Sequence, residues 1–332
     1  MDFGEAVGID GTRRLNIMSV EEVPIVSVVI PTRNAALYVR ETILSVLNQT
    51  LDELELIIVD NGSTDDTAEV VNSTIADYGN RPITFFSRED RGLCASLNEG
   101  LALSRGKYFS YIGADDVWDA DKLEVQVAEL DNTGFAAAYS DCRIIDADGN
   151  FVSRYAEQYA YHGGDIYQDL IWGRFQPASP TNLFRRETLE LVGGFDQSQI
   201  WEDKDLWIRI AKDNKVFYTG RPLASYRVHA NNCSTVNLDS MYEYAIQVLD
   251  AAVARDPSLA EHRSRLRADI DAFLAGAYYE KLQMGEARRY AVKALLQRPV
   301  SRLAWRTLML SFLGAAGVSR LRERRRQKRT RK

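Results

Sequence analysis

Apolar residues fall into two rhythms along this chain. In the first, short β-branched runs alternate with stretches of helical spacing. Ile25-Val26-Ser27-Val28-Val29-Ile30 reads as a strand covered on both faces, and Leu37, Ile43, Leu44, Val46 and Leu47 then recur near the period of a helix. Leu54 to Val59 predicts a second strand. It closes at Asp60-Asn61-Gly62-Ser63-Thr64, where Asn-Gly makes a turn and Ser63, Thr64 or Asp65 can cap a helix running to about Tyr78. Ile83 to Ser87 predicts a third strand and Leu93 to Leu103 a helix. A fourth strand, opening at Tyr108, runs into Gly113-Ala114-Asp115-Asp116.

Strand, helix, strand, helix at this spacing implies parallel pairing through right-handed crossovers. Ligands of such sheets sit outside the carboxyl ends of the strands, where Pro31-Thr32-Arg33, Asp60 and Asp115-Asp116 all fall. No G-x-G-x-x-G follows the first strand and no Walker A sequence occurs, so a dinucleotide fold and a P-loop are set aside. Past Asp116 the alternation loosens. Ala136 to Asp141, Val216 to Tyr218 and Ser225 to Val228 read as strands, and Asp146-Ala147-Asp148-Gly149 as a hairpin turn.

The second rhythm begins near Ser240 and is helical throughout. Ala272 to Leu282 and Glu286 to Leu296 flank Met284-Gly285 as an αα-hairpin, like one unit of a helical repeat. Leu303 to Val318 is apolar apart from Arg306, Thr307 and Ser311. The chain thus divides into a lead-in (1–24), an α/β domain (25–238), a helical appendage (239–318) and a basic tail (319–332).

Charge sharpens this division. The 332 residues carry a net charge of −6, yet Arg320 to Lys332 holds nine Lys/Arg and one Glu, so +8 in the tail stands against −14 in the rest. An acidic body argues against a nucleic-acid partner. Cys94, Cys142 and Cys233 stand in no metal-ligand spacing and suit a reducing compartment. No apolar run approaches the ~18 residues of a membrane span. The expectation is a cytoplasmic protein. Leu303 to Lys332 could hold it peripherally on an anionic membrane surface; the alternative is a packed helix with a solvated tail.

Adjacent carboxylates at a strand end repel unless a positive charge sits with them. Asp115 and Asp116 therefore suggest a bound Mg²⁺ or Mn²⁺. The structural alternative is that one of them caps the helix that Asp121 to Leu130 predicts.

Four blocks in order carry a more specific message: Val28-Val29-Ile30-Pro31-Thr32-Arg33-Asn34, Ile58-Val59-Asp60-Asn61-Gly62-Ser63-Thr64-Asp65-Asp66-Thr67, Gly113-Ala114-Asp115-Asp116, and Gly193-Gly194-Phe195-Asp196 with Trp201-Glu202-Asp203-Lys204-Asp205-Leu206. Together they resemble a family 2 glycosyltransferase of the inverting type with the GT-A fold, a Rossmann-like nucleotide-sugar-binding domain with a mixed sheet. The resemblance implies a nucleotide-sugar donor, commonly a UDP-sugar, a divalent cation, and a saccharide or lipid-linked acceptor. Carried over, Asp60 would bond the base, and Pro31, Thr32, Arg33, Asn61 and Arg91 would line the nucleotide cleft. Asp115 would face the ribose or sugar, Asp116 would ligate the cation with His229 assisting, and Asp203 would be the general base. Two departures stand out: Gly113 where many members have a further acid, and Asn61 in place of a frequent second Asp. The Gln-x-x-Arg-Trp signature of processive synthases is absent, which points to one sugar added per encounter. The rival from another class is a non-catalytic sugar-nucleotide binder or scaffold of the same fold. Trp118, Trp201 and Trp207 could stack on sugars or pack the core.

Overall fold

The computed structural model describes residues 23–76, 78, 81–199, 202–230, 232 and 238–318. Most of the lead-in, Trp201, Cys233 and the basic tail lie outside the described residues. The chain forms two compact units, Met1–Ala230 and Asn231–Lys332.

The first unit runs β1 (Val26–Thr32), α1 (Val39–Leu47), β2 (Leu54–Asp60), α2 (Thr67–Ala76), β3 (Ile83–Ser87), α3 (Leu93–Leu103), β4 (Tyr108–Tyr111), β5 (Val117–Trp118), α4 (Lys122–Thr133), β6 (Ala137–Ile145), β7 (Phe151–Arg154), α5 (Tyr167–Ile171), β8 (Leu183–Arg185), α6 (Arg186–Leu191), α7 (Asp203–Asp213) and β9 (Val216–Arg227). One mixed sheet holds all nine strands in the order β3-β2-β1-β4-β8-β6-β9-β5, with β7 beside β6. The parallel pairings β1–β2, β1–β4 and β2–β3 are those the alternating rhythm predicts. Every residue of β1 and β2 is buried, which explains their unbroken β-branched character. Within them the polar pair Ser27 and Glu55 satisfies itself: the Ser27 hydroxyl donates to Glu55 at 2.6 Å and Glu55 also accepts the Arg105 amide at 2.7 Å.

Beyond β4 the sheet changes direction, because β8 inserts antiparallel to both β4 and β6. Val216 to Tyr218 and Ser225 to Arg227 are not two strands but parts of β9, which ends before Val228 and carries irregular register against β6 around Gly220. The Tyr108 strand stops at Tyr111, and the two-residue β5 pairs with β9 instead. The turn at Asp146 to Gly149 does join a hairpin, completed by β7. Asp121, not Asp115 or Asp116, precedes α4, which removes the capping explanation for the acidic pair.

The second unit consists of α8 (Leu238–Arg255), α9 (Arg263–Glu280), α10 (Met284–Gln297) and α11 (Arg302–Ser311). Its hairpin is longer than the periodicity suggests, and Met284 opens α10 rather than making the turn. Leu303 to Val318 is not one helix. α11 ends at Ser311 and Gly314 takes a positive φ of 67°. Among the described residues no helix is long and apolar enough to cross a membrane.

Candidate active site

Three groups of side chains gather at the carboxyl edge of the parallel strands. The first lies where β1 and β2 end side by side, Thr32 in register with Asp60. The buried Asp60 carboxylate accepts the Ser63 amide at 3.1 Å and the hydroxyls of Ser63 and Ser87, so it fixes the turn after β2. Asn61 donates its side-chain amide to Asp90 at 2.6 Å and accepts the Arg91 backbone N–H at 3.0 Å. Arg33 pairs with Asp90, whose carboxyl is held below its ordinary range by the Gly92 amide and then by Arg33. Asn34, at a φ of 49°, accepts the Thr64 amide at 2.8 Å and binds the two turns together. The Arg91 guanidinium is exposed, 3.9 Å from Glu99. The Thr32 hydroxyl is buried with no partner, the kind of polar atom that a ligand or water completes.

The second group is the acidic loop after β4. Asp116 is buried and its Oδ1 accepts the Arg227 amide at 2.9 Å. Burial first, and the neighbouring Asp115 second, push the Asp116 carboxyl well above its ordinary range, and Glu202 is close enough to push the same way. Asp115 Oδ2 lies 2.9 Å from His229 Nε2, so His229 sits on Asp115 rather than on Asp116. Arg227, the last residue of β9, donates to the Asp115 carbonyl at 2.8 Å and to Glu41 at 2.6 Å. Its guanidinium covers the Tyr38 ring at 4.8 Å, and the His229 ring lies 4.9 Å from the same tyrosine. A Cβ on Gly113 would stand 2.9 Å from Asp115 Oδ1 and 3.2 Å from Asp116 Oδ2. The two carboxylates thus converge over the one residue that has no side chain. Sequence reading passed over Arg227; its signal was a lone arginine in the apolar run Ala224-Ser225-Tyr226-Arg227-Val228.

The third group stands at the start of α7. Asp203 accepts the Gln176 side-chain amide and, at 2.6 Å, the Lys204 backbone N–H; burial pushes its carboxyl upward. Glu202, buried beside Asp203, accepts the Ser179 hydroxyl at 3.0 Å. Burial, then the charge of Asp203, push the Glu202 carboxyl up to about 7. Ser179 belongs to a turn whose successive carbonyls are all bonded by side chains. Asn182 Nδ2 reaches the Ser179 oxygen at 2.6 Å, Trp118 Nε1 that of Pro180 at 2.6 Å, Gln126 that of Thr181 at 2.8 Å, and Lys122 Nζ that of Asn182 at 2.8 Å. Lys122 is fully buried 3.9 Å from the Trp118 ring centre, and burial pushes its pKa well down. This turn ties the segment after the acidic loop, through Trp118, to Glu202. Trp118 and Trp207 are core residues, not stacking surfaces.

Among the described residues no three acidic, histidine or cysteine groups form a ready cation cage. Mg²⁺ and Mn²⁺ at nucleotide sites need only one or two carboxylates, with phosphate and water supplying the rest. Two converging carboxylates, one buried and raised in pKa, and an adjacent imidazole fit such a shared site.

A family model described as Glycosyl transferase family 2 matches residues 27–192. A glycosyltransferase of Rickettsia prowazekii (strain Madrid E) is 31% identical over 232 residues, 67% of this chain and 69% of that protein. Chondroitin synthase of Escherichia coli is 26% identical over 245 residues, 73% of this chain but 34% of the synthase; the chain thus spans about a third of that relative. Among solved structures, Staphylococcus aureus TarS 1–349 in complex with UDP-GlcNAc aligns with a TM-score of 0.60 at 16% identity, covering 86% of this chain and 89% of that one. The mannosyltransferase PcManGT from Pyrobaculum calidifontis, in complex with GDP-Man and Mn²⁺, gives 0.57 at 21% identity, covering 88% and 86%.

Proposed function

Because this chain belongs to glycosyl transferase family 2 and is a glycosyltransferase, we propose that it moves one sugar from a UDP-sugar to a hydroxyl of a saccharide or lipid-linked acceptor, inverting the anomeric configuration. Cell-surface polysaccharide or glycolipid synthesis is the setting that relatives such as chondroitin synthase favour. The observation that carries the reading is the pair of converging carboxylates over Gly113, joined by one bonded turn to Glu202, the chain neighbour of Asp203.

In this reading Thr32, with Pro31, Arg33, Asp60, Asn61 and Arg91 around it, receives the nucleotide. Asp115 faces the ribose or sugar. Asp116, with His229 behind Asp115, would hold the cation. When bound, that cation supplies charge neutralisation for the departing diphosphate and orients it. Asp203 takes the proton of the acceptor hydroxyl as the new bond forms, and burial moves its pKa toward the operating pH, as a general base requires. Gln176 holds one Asp203 oxygen and the Lys204 amide the other, which together fix the plane of the carboxylate; Glu202, anchored on Ser179, fixes the start of α7.

A donor screen tests this. A ligand that binds only the folded state raises its melting temperature. Among UDP- and GDP-sugars with Mn²⁺, a UDP-sugar is expected to raise it most and to release UDP on turnover, with both effects lost in Asp116→Ala. A chain that no nucleotide-sugar stabilises or reacts with, in Mn²⁺ or Mg²⁺, would overturn the reading.

A further inference from the structure

In the second unit, α11 is built inside out. Its buried positions are small or polar: Ala304 and Ser311 at 0% exposure and Thr307 at 4%. Of its large apolar side chains Leu308 packs inward, while Trp305 at 49% and Met309 at 65% face outward, followed by Phe312 at 68% and Leu313 at 49%. Residues 302, 305, 306 and 309 follow helical spacing and share one face, and Phe312 caps the end of the helix. A helix of a water-soluble bundle shows the opposite arrangement. Large apolar side chains gathered on one exposed helix face mark an interaction site.

The charge around the patch selects its partner. Arg302 and Arg306 are exposed on the same face, and Arg288 covers the Phe312 ring at 5.4 Å. Residues 320–332, directly beyond, add nine Lys/Arg against one Glu. Two copies meeting through this face about a two-fold axis would bring like charges together. An anionic lipid surface instead satisfies both features: apolar side chains enter the headgroup boundary and the arginines meet its negative charge. α11, at about 15 Å, is too short to span a bilayer and suits lying in its plane.

We infer that the exposed face of α11, with Trp305, Met309 and Phe312 as its apolar side and Arg302 and Arg306 as its basic side, docks this chain on an anionic membrane surface. The inference does not depend on the glycosyltransferase chemistry, and its test does not use activity.

The full chain is mixed with vesicles of phosphatidylcholine alone, or of phosphatidylcholine with phosphatidylserine, and binding is read by flotation. Binding is expected only to the anionic vesicles, weakening as salt screens the charges. The triple variant Trp305→Ser, Met309→Ser, Phe312→Ser is expected to bind on the order of tenfold or more weakly. Removing Arg302 and Arg306 as Gln should cost about fivefold each. Trp305 donates its indole N–H to the Pro299 carbonyl at 2.8 Å and Phe312 meets Arg288, contacts at the exposed surface, so circular dichroism melts of the triple variant should shift by no more than a few degrees. As an independent readout, Trp305 emission should shift to the blue on the anionic vesicles, and the shift should vanish in Trp305→Phe. Equal binding of wild type and triple variant would assign the effect to the tail alone and overturn the inference. No binding by the wild type would overturn it too, as would a lipid-free dimer that the triple variant abolishes.

Discussion

A single methyl group at position 113 probes the acidic loop most finely. Gly113 does not occupy the positive-φ region, so alanine is compatible with its backbone. Its new Cβ would nonetheless sit 2.9 Å from Asp115 Oδ1 and 3.2 Å from Asp116 Oδ2, inside the 3.4 Å where ordinary contact begins. Both clashing atoms are tips of short side chains, so relief comes by rotating the carboxylates. The fold is spared, at a cost of about 1 kcal/mol. Asp115 cannot rotate without leaving His229, which it meets at 2.9 Å. A hydrogen bond to a charged group is worth roughly 1.5–3 kcal/mol, which is about 10- to 150-fold in an equilibrium constant. Gly113→Ala is therefore expected to melt within a few degrees of wild type, while kcat/KM falls ~10- to 100-fold and the Mn²⁺ needed for half-activity rises. Gly113→Asp should do no better, since any Cβ meets the same oxygens. Full activity at unchanged Mn²⁺ demand would refute the convergence of Asp115 and Asp116 on one cation. A collapse of the melting temperature would refute the claim that the glycine serves the site rather than the fold.

Further outcomes follow from the turn behind Asp203, the proposed base. Ser179→Ala removes the hydroxyl that Glu202 accepts; kcat should drop several-fold with the donor KM unchanged, and a rise in donor KM alone would contradict that role. Glu202 titrates from 4.5 in the unfolded chain to about 7 when buried, so the folded state holds that proton more tightly. The stabilisation this gives is complete below about 4.5 and is lost as pH rises through about 7. Melts of wild type and Glu202→Gln across that window should show the wild type losing ground as pH rises, whereas parallel curves would show the carboxyl to be unperturbed.

The parallel half of the sheet was legible because β1 and β2 are buried along their whole length, and a strand covered on both faces announces itself as an unbroken apolar run. β9 was not, since Gly220-Arg221-Pro222 reads as a chain break yet lies within a strand held by β6. β5 was missed because two residues carry no period, and pairing with β9 alone defines it. In the site, Asp60, Asp115, Asp116 and Asp203 stand in blocks readable along the chain. Arg227, Ser179, Gln176 and Lys122 do not. Their importance comes from partners far away in sequence, as when the Arg227 amide meets Asp116 across 111 residues, and no local pattern records such a meeting. The apolar stretch from Leu303 was visible, but its break near Gly314 and the outward turn of its large side chains required the packing of α11.

The general base is the centre of the proposed chemistry, and single-turnover transfer by Asp203→Asn tests it most directly. With a UDP-sugar and Mn²⁺ prebound at wild-type affinity, the rate of sugar transfer to the acceptor is expected to fall by ~10²–10⁴. A variant that transfers at near the wild-type rate would show that another group takes the proton.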